Sequence, residues 1–112
     1  MTIYSQTQTE KELTKLTKLV KSGQLSDSLA RNIHKLVGIE INQLEIDLTA
    51  TEKDLREFEK QYKMSTVDFF KKWQAGKTDD RMDYVEWASL AQMANNLRKR
   101  LELIKGESQI GI

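Results

Sequence analysis

Apolar residues recur at helical spacing along most of the chain, and four helices follow from that spacing and its punctuation. The first is predicted over about Glu10 to Ser22. Leu13, Leu16 and Leu19/Val20 form its apolar stripe. Thr9 with Glu12 fits a capping box, in which hydroxyl and carboxylate each satisfy an orphan N–H, and Gly23 supplies the stop. The second helix follows Ser26, a good N-cap with Asp27 in the first turn, and extends to about Lys63. Val37, Ile41, Leu44, Leu48, Thr51, Leu55, Phe58 and Tyr62 step by four and three in turn, a sustained heptad seam. Leu29, Ile33, Leu36, Ile39 and Ile46 lie off that seam, so the N-terminal half is expected to be covered on two sides, one of them by the first helix. Thr49 with Glu52 is a second possible capping box, which would break the helix near Thr51. The unbroken heptad phase favours one helix.

The third helix is short, from Thr66 to about Ala75. Ser65 caps it, Asp68 sits in its first turn, Met64 and Phe69 have the spacing of a hydrophobic staple, and Gly76 follows. The fourth begins near Asp79 or Asp80 and runs to Lys105, before Gly106. Its seam is Trp87, Leu90, Ala94, Leu97, Leu101 and Ile104. Two long seams joined by a short helical connector predict an antiparallel hairpin. Charge selects the same pairing. The second seam is flanked by Glu40, Glu45, Asp47, Glu52, Asp54 and Glu59, and the last turns of the fourth helix carry Arg98, Arg100 and Lys105. If Tyr62 meets the start of the fourth helix, Leu101 meets Leu44, and those cations lie beside Glu40, Glu45 and Asp47. Flanking charges of this kind choose orientation and partner.

Composition narrows the functions available. The chain has 112 residues, no Cys, no Pro and one His, and its 18 Lys+Arg oppose 17 Asp+Glu for a net charge of +1. That length suits one all-α domain, with residues 9–36 as an N-terminal helical extension, 37–105 as the hairpin and 106–112 as a frayed tail. Without Cys there is no thiol catalysis or thiolate metal site. His34 is the lone histidine, and no motif places a nucleophile or orienting acid beside it, so it reads as structural and the chain as no enzyme. The polar start lacks an apolar signal region, and no segment approaches the length of a membrane span. The expected location is the cytoplasm.

Three clusters remain. Asp79, Asp80, Asp83 and Glu86 gather at the start of the fourth helix. Asp80, Asp83 and Glu86 could offer oxygens to Mg²⁺, but capping and dipole compensation or a basic partner explain them as well, and neither a metal nor a cofactor is expected. Lys11, Lys15 and Lys18 line one face of the first helix, with Arg31 and Lys35 nearby. They are a solvated face, or a weak phosphate-contacting candidate without a recognition helix to support it. Seven of the eight aromatic residues lie between Phe58 and Trp87. One thin hairpin tip can hardly bury seven rings, so some are expected to face a partner.

The stretch Tyr62-Lys-Met64-Ser65, Phe69-Phe70-Lys-Lys-Trp73-Gln-Ala-Gly76, Asp79-Asp80 and Asp83-Tyr84-Val85-Glu86-Trp87-Ala88 resembles the small helical-hairpin antitoxin-like proteins of prokaryotic toxin–antitoxin pairs. The resemblance covers about residues 44–105. It implies a non-catalytic protein that neutralises a toxin, often a ribonuclease, by direct binding, with Phe70, Trp73, Asp80, Asp83, Glu86 and Trp87 as contact residues. The chain departs from that pattern up to about Leu36, where an extra helix precedes the hairpin. The alternatives are a self-associating helical bundle, for which a homodimer would bury Ile39 and Ile46, and a DNA-binding regulator using Lys11, Lys15, Lys18, Arg31 and Lys35.

Overall fold

The computed structural model describes residues 5–106 of the chain. They form four helices, α1 (Gln6–Lys21), α2 (Asp27–Tyr62), α3 (Thr66–Gln74) and α4 (Met82–Lys105), with no strand among the described residues. The fold is all-α, with a long helix pair and a short third helix. The tail expected to fray lies, from residue 107 on, outside the described residues. The chain divides into two compact units, Met1–Val37 and Gly38–Ile112. The first holds α1 and the opening turns of α2. The second holds the rest of α2 with α3 and α4.

In the first unit α1 starts a turn earlier than Thr9 suggested. Ser5 is the cap, its Oγ accepting the Gln8 N–H at 3.1 Å. Thr9 lies inside the helix and donates its hydroxyl to the Ser5 carbonyl. Glu12, freed from a capping role, accepts from Gln8 and Lys15. Ser5 and Gln8 make the same Ser-x-x-Gln pattern one turn upstream, and the extra turn adds backbone bonds. Gly23 closes α1 in the left-handed region at φ 71°, and Ser26 Oγ caps α2 through the Leu29 N–H. No residue of α1 is buried. Leu16, Leu25, Leu29 and Ile33 are half-buried, while Leu13, Leu19, Val20, Leu36 and Val37 stay exposed. The expected double cover of the first half of α2 is therefore absent, and Ile39 and Ile46 are exposed too. A lone helix pair shields each side chain from one direction only, and solvent reaches it from the other.

The second unit is a hairpin with a packed interior. α2 passes through Thr51 without a break. Thr51 is buried, and its hydroxyl donates back to the Asp47 carbonyl at 2.8 Å, so the one polar residue of the seam is satisfied within its own helix. Leu44, Leu97 and Leu101 form one cluster, flanked by Ile41, Leu48 and Ile104, which is the register the seams predict. Two exposed ion pairs hold the same register, Lys105 Nζ to Glu45 at 2.8 Å and Arg98 to Glu52 at 3.0 Å. Arg98 thus pairs nearer the tip than Glu40, Glu45 and Asp47, the partners its position predicted. Each such pair is worth ~0–1 kcal/mol and serves mainly to select the pairing.

The tip is built around Trp87, which is fully buried. Phe69 of α3 stacks on it with centroids 3.9 Å apart and planes 1° from parallel, and Phe58 of α2 stacks at 5.6 Å. The indole N–H donates to Thr66 Oγ1 at 3.0 Å, so the buried ring leaves no unpaired donor. Thr66 is the first residue of α3, and its own orphan N–H donates to Glu59 Oε2 at 2.8 Å. Ser65 Oγ takes the Asp68 N–H, and Met64 packs on the cluster that holds Phe69, as the staple spacing predicted. Small residues of α4, Ala88, Ala91 and Ala94, complete this core and let α3 approach closely.

Two substitutions test this packing. Trp87→Ala removes the ring on which three helices meet and should cost about 3–5 kcal/mol, read as a lower urea midpoint. Gly38 lies within α2 with open space where a Cβ would stand, so Gly38→Ala should raise stability by about 1 kcal/mol in the same assay.

Candidate partner-binding surface

The residues proposed from sequence as one contact set do not share one environment. Trp87 is core and beyond the reach of any docked molecule. Its Nε1–H and both ring faces are used internally, which corrects its assignment as a contact residue. Tyr62 and Tyr84 are half-buried against it, with their centroids 5.1 Å apart edge to face. Phe70 and Trp73 are half-buried at the margin of that cluster, with the Trp73 ring 6.1 Å from Phe69. One thin tip does absorb most of the rings, because α3 folds over the hairpin as a third wall.

Phe70 separates two surface depressions. On one side a groove of about 390 Å³ runs between α2, α3 and α4. Leu55, Val67, Phe70 and Ala91 give it apolar walls, and Glu52, Arg56, Glu59, Lys71 and Arg98 surround them. Both carboxylates are engaged, Glu52 by Arg98 and Glu59 by the Thr66 N–H. On the other side Phe70 and Trp73 border a shallower depression with Val85, Ala88 and Gln92. Val67 is 64% exposed at the groove's edge. Val67, Arg56 and Lys71 were not singled out from sequence. The available signal was Val67 three residues before Phe70, an apolar pair on one helix face.

The acidic cluster is also divided. α4 starts at Met82 with Arg81 as its cap, and no side chain caps it. Asp79 and Asp80 therefore precede the helix, and of the three side chains that could offer oxygens to Mg²⁺ only Asp83 and Glu86 lie on it. Asp79 is taken by Arg81, whose Nε and Nη2 reach its two oxygens at 2.9 and 2.7 Å. The guanidinium lies 4.5 Å from the Tyr84 ring centroid. This clamp fixes the loop and displaces the helix start that an Asp cap would have given. Arg81 hydrogen bonds hold the Asp79 carboxyl down at about 2, against an ordinary 3.8, and Asp79 in turn raises Arg81. Asp83 accepts the Tyr62 hydroxyl and the Gln61 amide. The Asp83 hydrogen bond pushes the Tyr62 hydroxyl upward, and desolvation adds to it. Asp80 and Glu86 remain exposed. Among the described residues no three His, Cys, Asp or Glu side chains converge as a metal site would need.

The basic candidates all stand in solvent. Lys11, Lys15 and Lys18 lie on α1, and Arg31, His34 and Lys35 on the first turns of α2. Lys15 pairs with Glu12 at 3.3 Å. No helix among the described residues is long and apolar enough to cross a membrane.

The Asp79 clamp has a pH signature. Its carboxyl titrates lower in the folded chain than in the unfolded one, so the stabilisation is complete above about pH 4 and is lost as pH falls towards 2. Thermal melts between pH 5 and 2 should show a decline in this window that Asp79→Asn reduces.

Protein-family models, curated proteins and solved structures were compared with the chain, and none matches it.

Proposed function

We propose that this protein is a non-catalytic protein-binding module that works as an antitoxin-type partner, neutralising a toxin by direct contact. One observation carries the binding role. Phe70 stands half-buried between two depressions, and the groove beside it has apolar walls whose nearby carboxylates are already engaged. Such a surface offers aliphatic and aromatic anchor sites that lose little on desolvation, the character of an interface centre. Trp73 extends it, and the exposed Asp80 and Glu86 supply charge that steers a basic partner. The antitoxin character rests on the resemblance of the Tyr62–Ala88 segment, and it names the toxin's class as a nucleic-acid-cleaving protein with a basic surface.

The test is genetic and then physical. The product of the adjacent gene, expressed alone, should arrest growth, and co-expression of this chain should restore it. Val67→Glu puts a charge into the groove from an exposed position. It should weaken the complex by about 2 kcal/mol, roughly thirtyfold, while circular dichroism and the urea midpoint stay unchanged. A harmless neighbour, or rescue and affinity untouched by Val67→Glu, contradicts the proposal.

A further inference from the structure

The first unit is a helical hairpin whose ends are specified and whose interior is missing. Its turn is closed by the Gln24 N–H on the Leu19 carbonyl at 2.9 Å and the Gly23 N–H on the Val20 carbonyl at 3.1 Å. Ser5 and Ser26 cap the two helices. Nine Leu, Ile and Val residues lie between Leu13 and Val37, and none is buried. A helix pair of this size with no core is below what holds a fold in water. Its apolar stripes need cover.

The layout of α1 decides what covers them. At about 100° per residue, Leu13, Leu16 and Val20 share one face, while Lys11, Lys15 and Lys18 share the opposite one. Nucleic acid or an acidic protein drawn to the lysines would leave the stripe in water. A second copy can lay stripe on stripe with both lysine faces turned outward, so two like-charged units approach without their lysines meeting. The flanking charges fit one orientation. Glu10 and Lys21 lie on the same flank of the stripe at its two ends. An antiparallel two-fold pairing centred near Leu16 sets Glu10 of each copy beside Lys21 of the other, whereas a parallel two-fold pairing puts that flank of the two copies on opposite sides of the interface and forms neither pair. Two copies also bring eighteen aliphatic side chains together, against the ten buried hydrophobic residues that hold the second unit.

We infer that the first unit is a homodimerisation element, in which two chains pair the Leu13–Leu16–Val20 faces of α1 antiparallel about a two-fold axis. The occupant of this apolar face is a second copy of the chain. The inference does not depend on the groove beside Phe70.

Sedimentation equilibrium of the full chain across a wide concentration range tests it. The expected mass is twice 13.0 kDa at high concentration, falling on dilution. Leu13→Glu with Val20→Glu should give the monomer mass throughout. Both positions are more than half exposed, so the urea midpoint read from tryptophan fluorescence, which reports the tip, stays in place. Glu10→Lys should weaken association several-fold, and Glu10→Lys with Lys21→Glu should regain it. Val67→Glu should leave the dimer intact, which separates this surface from the groove. A monomer at every concentration, a dimer that survives the double glutamate variant, or a charge swap that regains nothing overturns the inference. So does a chain that stays monomeric and binds duplex DNA through its lysines.

Discussion

The stacking of Phe69 on Trp87 holds the second unit in its particular form. A two-helix hairpin has two seams and nothing to cap its end. Here the end is closed by one indole that meets α2 through Phe58, meets α3 through Phe69, and spends its N–H on Thr66. Thr66 in turn ties the start of α3 to Glu59 of α2. Apolar area, ring geometry and a hydrogen bond therefore act on the same three helices. Aromatic pairs of this kind add ~0.5–1.5 kcal/mol beyond their buried area. Their larger consequence is positional, because α3 is held with one face on Trp87 and the other, bearing Val67 and Phe70, towards solvent.

That division explains why the aromatic-rich segment could be located from sequence but not apportioned. The two heptad seams, the Ser65 cap, the Met64–Phe69 staple and the antiparallel register were legible, because each follows from spacing along one helix or from the sign of flanking charges. Which ring faces inward depends on how α3 crosses the hairpin, and spacing along one helix does not encode that. Trp87 consequently read both as a seam residue and as a contact residue, and only the first holds, since it is fully buried. Phe70 and Trp73 stay partly accessible because they pack at the margin of the cluster that Phe69 and Trp87 fill.

The acidic start of α4 and the cap of α1 were misread for a related reason. Capping rules say which side chains can serve an orphan N–H and leave open which competitor claims them. Asp79 is claimed by Arg81, two residues away, and the helix begins beyond them both. Thr9 is bypassed because Ser5 and Gln8 repeat its pattern one turn earlier. In the first unit the apolar periodicity was read correctly as helix, but periodicity says nothing about whether a stripe finds cover within the same chain. The stripe of α1 finds it only at Leu16, which is half-buried, and its lysines stand on the face opposite.

Everything assigned to the surface beside Phe70 requires α3 to be fixed by the Trp87 stack before any partner arrives. Hydrogen exchange of the full chain measures that coupling directly. If the stack unites the three helices, the amides of Leu55–Tyr62, Phe69–Trp73 and Trp87–Leu97 exchange at one shared slow rate, set by opening of the whole tip. If Phe69–Trp73 exchanges orders of magnitude faster than the other two segments, α3 opens independently, the groove is not preformed, and the Trp87 stack is not what holds the tip together.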